Sequence, residues 1–278
     1  MTRMVETIFI TNNEREAKIC DMAGVDWVMV DLESLGKAER QHGRDTLISG
    51  HTINDVAVIK NVLKVAKLLV RVNAFGNHSA QEINAVLSAG ADLIMFPMVK
   101  SVEEITAFRD LVSGRASTVL LLETCAALIR IEHLLESADV DAVHIGLNDL
   151  AIEAGLDFMF EFLASNLSDW LASTLRERGI SYGFGGVGPQ NTGLLDPVLI
   201  VRRHARLRSE RVILSRAYRK LFIEPEDQIV IDKFSSEIAA IQRAYHAEVH
   251  DLALADRVFD KSFRTAVYNA IERAKNVR

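Results

Sequence analysis

Short apolar runs alternate with helical patterns along most of this chain, and that alternation limits the folds open to it. Thr7–Thr11, Asp26–Leu32, Leu68–Asn73 and Leu93–Val99 read as strands, as do Thr118–Leu122, Ala142–Leu147, Ile180–Val187 and Arg211–Ser215. Runs this apolar, with little polar alternation, are buried on both faces, which is the mark of parallel strands covered by helices. Helical patterns fill the gaps: Glu14–Met22, Asn54–Val65, Ala126–Glu136, Leu156–Ala164, Asp169–Arg178 and Pro197–Leu207. Several open on capping residues, namely Asn12 and Asn13, Thr52 with Asp55, Ser79 with Glu82, and Ser101 with Glu104. Eight strands separated by helices is the count that a (β/α)8 TIM barrel requires. An open doubly wound sheet threads the same pattern, but it needs a glycine fingerprint at its first turn, and Asn12-Asn-Glu-Arg15 stands there instead.

The barrel with its active site is expected over residues 1–222 and a C-terminal helical extension over 223–278, both parts of one domain. In that extension Phe234, Ile238, Ile241, Tyr245 and Val249 form an apolar stripe one helix face wide. A barrel already has its ring of helices, so the stripe is expected on the barrel wall or on another subunit. The completeness of the ring favours a homo-oligomer. With a net charge of −6 and no dense Lys/Arg block, nucleic acid is not an expected partner. Cys20 and Cys125 are too few for a disulfide framework or a zinc cluster, which suits a reducing cytoplasm. Cys125 is expected as a small buried residue. The first residues lack the apolar core of a signal peptide, and no run approaches the roughly 20 apolar residues that span a bilayer.

Chemistry is expected at the carboxyl ends of the strands, which share one rim in a parallel barrel. The closing residues there are Asp31 and Glu33, Arg71 and Asn73, Glu123, and Asn148 with Asp149. Thr118 to Asp149 reads as strand, helix, strand, and a right-handed crossover brings Glu123 and Asp149 to the same rim. Each could be a helix cap or half of an ion pair; together they suit a hard divalent cation. Carboxylates and a guanidinium are costly to bury unless they bind a cation and an anion. A 2-oxo acid answers to that set. Its carboxylate and keto oxygen would chelate the metal, Arg71 would meet the oxygen where charge develops, and the metal would stabilise an enolate. Schiff-base aldolase chemistry needs a lysine on a strand; the strand interiors hold none, and Lys100 sits at a strand end. Asn73 and Asn148 are candidate substrate-binding groups beside Arg71.

The motifs Val30-Asp-Leu-Glu33, Val70-Arg-Val-Asn73, Gly90-Ala-Asp-Leu-Ile-Met-Phe-Pro-Met98, Leu122-Glu-Thr124 and Ile145-Gly-Leu-Asn-Asp-Leu150 follow in order. In them the chain resembles the HpcH/HpaI aldolase and citrate lyase β-subunit superfamily, from about residue 5 to about residue 220. The resemblance implies Glu123 and Asp149 as metal ligands, usually of Mg2+ or Mn2+. It also implies Arg71 as the arginine on the substrate and its transition state, and Glu33 as an acid near the metal waters. It implies C-terminal helices that commonly pack on a neighbouring subunit. One position departs: the aldolase branch carries an acid/base histidine directly after the Asp-Leu-Glu motif, and this chain has Ser34. His42 and His51 are the candidate catalytic replacements, or else a solvated loop residue and a neighbour of a helix cap. His144, within an apolar strand, reads as a core histidine. The run Tyr182-Gly-Phe-Gly-Gly-Val-Gly188 either admits a phosphate to backbone N–H groups or relieves crowding, and the second reading is preferred. The expected function is a divalent-metal-dependent carbon–carbon lyase or aldolase acting on a 2-oxo acid through a pyruvate-like enolate. The alternatives are a citrate-lyase-like or acyl-CoA lyase acting on a thioester, and a non-catalytic metal-binding barrel.

Overall fold

A computed structural model describes residues 5–35, 50–136, 140–251 and 256–275. Eight parallel strands follow one another in chain order around a closed barrel: β1 (Glu6–Ile10), β2 (Trp27–Asp31), β3 (Lys67–Arg71), β4 (Leu93–Phe96), β5 (Ser117–Leu122), β6 (Ala142–Ile145), β7 (Ser181–Val187) and β8 (Arg211–Leu214). The chain divides into two compact units, Ile8–His144 and Met1–Thr7 with Ile145–Arg278.

In the first unit, β2 and β4 are buried along their whole length, and so is β5 after Ser117. Continuous burial is why these strands carry unbroken Val, Leu, Ile and Met. Their helices are α1 (Glu14–Ala23), α2 (Ile53–Val62), α3 (Ser79–Ser88), α4 (Val102–Val112), α5 (Cys125–Ile129) and α6 (Ile131–Glu136). Asn13 caps α1 by accepting from the Glu16 N–H at 3.0 Å, and Gly24 ends it at φ +90°, where a side chain would be strained. Thr52 and Asp55 form the reciprocal box at the start of α2. Ser101 caps α4, but Glu104 reaches back to the Lys100 N–H and not to Ser101. Ser79 does not cap α3: it is the first helical residue, His78 precedes it, and Glu82 turns to Asn73.

Carboxylates also stand at the amino ends of the strands, and there they hold backbone. Asp92 accepts the Leu68 N–H at 2.8 Å and pairs with Lys60. Asp141 accepts the Thr118 N–H at 2.7 Å, and Asp21 takes three successive N–H groups, from Lys64, Val65 and Ala66. These acids satisfy chain ends that would otherwise be unpaired donors. The carboxylates at the other ends of the strands do different work.

In the second unit, the helices are α7 (Leu147–Glu153), α8 (Glu161–Ala164), α9 (Asn166–Glu177), α10 (Pro197–Leu207), α11 (Asp227–Asp251) and α12 (Asp256–Lys275), with a 3-10 helix at Arg216–Ile223. The expected stripe lies on α11, and all of it but the half-buried Val249 is covered within its own chain. Phe234, Ile238, Ile241 and Tyr245 are buried, and α11 packs along α10 and the 3-10 helix. Phe234 meets the rings of Tyr218 and Phe222, and the Tyr245 hydroxyl donates to the Ser209 carbonyl at 2.8 Å. Glu248 takes Arg202 and Arg206 together, and both guanidiniums lie over Phe259 of α12. Phe234, Ile238, Ile241 and Tyr245 therefore need no second subunit to leave water.

Candidate active site

Arg71 closes β3, and the parallel register sets it directly beside Asp31, which closes β2. The pair is bidentate: Nε donates to Asp31 Oδ1 at 2.8 Å and Nη2 to Oδ2 at 2.7 Å. The Arg71 Nη1 lies 3.2 Å from Glu33 Oε2. Burial by itself would lower the pKa of this guanidinium. The charge and hydrogen bonds of Asp31, followed by the charges of Glu33 and Glu123, overcome that effect and hold it above its ordinary value. Arg71 is thus a permanent, immobile cation among carboxylates. Of the five N–H donors of a guanidinium, three make these contacts among the described residues.

The acids around it are buried, Asp31 at 4%, Glu33 at 0% and Glu123 at 2% exposure. Asp31 Oδ1 also accepts the Glu33 N–H at 3.2 Å, so one carboxylate orients both the arginine and the backbone carrying its neighbour. Glu123 follows β5 directly, and its Oε1 accepts the Met98 N–H at 3.0 Å. Met98 holds φ +53°, a strained conformation for a residue with a side chain, of the kind that accumulates at functional sites. Thus the turn after β4 aims an N–H at the Glu123 carboxylate.

Asn73 stands two residues past Arg71. Its Oδ1 accepts the N–H groups of Ser34 and Leu35, at 2.9 and 3.0 Å, and its Nδ2 donates to Glu82 at 2.7 Å. His51 is half-buried at the approach to α2, and its Nδ1 accepts the Asp31 N–H at 3.0 Å. An imidazole accepting at Nδ1 carries its proton on Nε2 when neutral. His42 lies outside the described residues.

Asn148, Asp149 and the glycine run belong to the second unit. Strand β6 ends at Ile145, Gly146 breaks it, and Leu147 begins α7. Asn148 and Asp149 therefore sit in the first turn of a helix instead of closing the strand; Asn148 is exposed and Asp149 half-buried. An acid in a first turn is favoured by the helix dipole whatever else it binds. In the glycine run, a side chain at Gly183 would strike Arg211, one at Gly185 would strike Leu147 within 2.5 Å, and one at Gly188 would strike Thr192. Close packing accounts for these glycines. His144 is buried, and Cys125, the first residue of α5, is half-buried.

Asp31, Glu33, Arg71 and Glu123 are thus one electrostatic cluster within the first unit. Sequence reasoning gave Arg71, Glu33, Glu123 and Asn73 roles, and it did not anticipate the contacts of Asp31 with Arg71, of the Met98 N–H with Glu123, or of the Asn73 amide with backbone and Glu82. For Asp31 the signal was present, since opposite charges closing consecutive parallel strands face each other across the pair. For the Met98 N–H no side-chain pattern could have shown it. Among the described residues no three His, Cys, Asp or Glu side chains form a group that could by itself hold a metal ion. Also among them, no helix is long and apolar enough to cross a membrane.

Two solved structures share the fold. An HpcH/HpaI aldolase from Desulfitobacterium hafniense DCB-2 matches at TM-score 0.57 and 17% identity over 77% of this chain and 86% of its own. An HpcH/HpaI aldolase/citrate lyase family protein from Burkholderia cenocepacia J2315 matches at TM-score 0.59 and 16% identity over 80% and 92%. No functionally curated protein matches the sequence. The family model described as HpcH/HpaI aldolase/citrate lyase matches residues 8–161, more than half of the chain, and takes in the whole Asp31–Arg71–Glu123 cluster. The chain belongs to the HpcH/HpaI aldolase/citrate lyase family, and that membership points to lyase or aldolase activity.

Proposed function

We propose that this protein is a divalent-metal-dependent carbon–carbon lyase or aldolase acting on a 2-oxo acid, with charge developing as in a pyruvate enolate. The observation that carries the proposal is the Arg71 clamp: a buried guanidinium fixed by Asp31 among three buried carboxylates. Three such acids around one guanidinium fit the presence of a further cation. Glu123 and Asp149 are the proposed ligands, to be completed by water or substrate. An ion there, Mg2+ or Mn2+, supplies a Lewis acid for the substrate's carboxylate and keto oxygens.

The protein's own groups do the rest. Arg71 meets the substrate oxygen on which negative charge grows, and because Asp31 already orients it, little reorganisation is needed at that moment. Glu33 lies against the same guanidinium and tempers its charge. His51 carries its neutral proton on Nε2, and we assign it as the proton-bearing group in place of the missing histidine after Glu33. Asn148 is the proposed polar contact from α7. The partner is a small carboxylate; a homo-oligomer remains part of the proposal, built on surfaces other than the covered stripe of α11. The thioester reading draws no support from the glycine run, whose open backbone is filled by its own neighbours.

Exchange of the pyruvate methyl protons in D2O, followed by NMR with added Mg2+ or Mn2+, tests the proposal. Metal-dependent exchange that falls at least tenfold in Arg71→Lys is expected, since lysine cannot reproduce the planar fork. No exchange with either metal would leave the non-catalytic reading in place.

A further inference from the structure

We infer that Asn73 is a positioning residue, whose side-chain amide latches the backbone after β2 and so holds Glu33 against Arg71. The inference rests on the proposed reaction for its kinetic consequence, but its geometry stands apart from it. Oδ1 accepts two successive N–H groups, Ser34 at 2.9 Å and Leu35 at 3.0 Å. On the other side Nδ2 donates to Glu82 Oε1 at 2.7 Å, and the Asn73 N–H donates to Glu82 Oε2 at 3.1 Å. Both lone-pair positions of the amide oxygen are filled, and the donor side is turned to a carboxylate, so this amide is committed to the protein.

Ser34 and Leu35 are exposed, and water could satisfy their N–H groups at little cost. The latch is therefore not needed to rescue buried donors; what it adds is a fixed path for the chain immediately after Glu33, which is wholly buried. Continuing from the Glu33 N–H on Asp31, three consecutive N–H groups are gripped by side-chain oxygens from β2 and from the residue two past Arg71. The same short segment of chain thus carries the guanidinium and the clamp that places its neighbouring carboxylate. Glu82 completes the device by leaving the cap of α3 to fix the amide's direction. Polarity is the essential property, because oxygen must face the backbone and nitrogen must face Glu82.

Polarity reversal tests it. Asn73→Asp keeps the acceptor but sets a second carboxylate against Glu82. In Asn73→Asp/Glu82→Gln, the glutamine amide can donate to the new carboxylate and restore the chain of bonds. Steady-state turnover of a 2-oxo acid substrate and thermal melting are measured for wild type, both single variants and the double variant. The expected result is a kcat of N73D lowered roughly 10- to 100-fold, the scale of a misplaced catalytic group, with KM changed less than about threefold. The double variant should recover at least tenfold of that loss and most of the fall in melting temperature. A rise in KM at unchanged kcat would overturn the inference, because it would put Asn73 on the substrate. Strictly additive losses in the double variant would overturn it too. If the wild type proves inactive, the reaction proposed above fails. The melting cycle then still decides the latch: recovery supports it and additivity overturns it.

Discussion

Replacing Asp31 by asparagine removes one charge and one acceptor from the centre of the cluster while keeping its volume. Asp31 accepts from Arg71 Nε and Nη2 at 2.8 and 2.7 Å and from the Glu33 N–H at 3.2 Å, and it is 4% exposed. Removing one partner of a buried pair costs about 3–5 kcal/mol, because the other charge is left without compensation. Here Glu33 at 3.2 Å and the nearby charge of Glu123 still face Arg71, which places the cost near the lower end, about 3 kcal/mol. For a chain of this size that corresponds to a fall of roughly 6–12 °C in melting temperature. The guanidinium would also lose its fixed direction, and a displacement of about 1 Å at a reacting group costs on the order of 100-fold in rate. Differential scanning calorimetry and pyruvate proton exchange read the two effects separately. A melting temperature within about 1 °C of wild type, together with unchanged exchange, would refute the reasoning that Asp31 fixes Arg71.

Three further outcomes follow from burial. Tyr182, Tyr218 and Tyr245 all have raised pKa values, chiefly from burial, with Tyr182 pushed up to about 12. The unfolded chain ionises first, near pH 10, so stability is intact below that pH and is lost as pH rises towards 12; phenolate absorbance from these three of the four tyrosines should appear with unfolding and not before it. Cys20 is buried, and its thiol pKa is raised by burial and by Glu16 and Asp21, whereas Cys125 is half-buried. A maleimide at pH 8 should therefore label Cys125 alone in the folded protein, and mass mapping that finds Cys20 first would contradict this. Phe234→Ala, which empties the contact with Tyr218 and Phe222, should cost about 3–5 kcal/mol in urea unfolding; a loss under 1 kcal/mol would show that α11 is only loosely docked.

Much of the architecture was legible because it rests on local signals. Continuous apolar runs marked the strands, Asn13, Thr52 and Ser101 capped the helices they preceded, and Pro197–Leu207 is a helix over the range expected. The failures lie where local turns or a tertiary partner overrode a periodic pattern. Ala126–Glu136 was expected as one helix, but Arg130 interrupts it and separates α5 from α6. Leu156–Ala164 shrinks to Glu161–Ala164, and Ser79 loses its expected box because Glu82 serves Asn73. The residue types that close the strands were readable, and Arg71, Glu33 and Glu123 do lie together in one electrostatic cluster. What could not be read was how they divide the labour. That Asp31 spends both oxygens on Arg71, and that Asn73 spends its amide on backbone, depends on distances between strands. The stripe on α11 was legible as apolar, but sequence alone could not say which surface covers it.

The central proposal is that the protein binds a divalent ion at which a 2-oxo acid binds, with Glu123 and Asp149 as the proposed ligands. Titration of the protein with Mn2+, followed by the electron paramagnetic resonance signal of the free ion, measures this without any assumption about turnover. The account predicts one bound ion per chain, held more tightly when oxalate is added as a mimic of the pyruvate enolate. It also predicts loss of that binding in both Glu123→Gln and Asp149→Asn, with folding retained by circular dichroism. Absence of binding in the wild type, or binding undiminished in both variants, would contradict it.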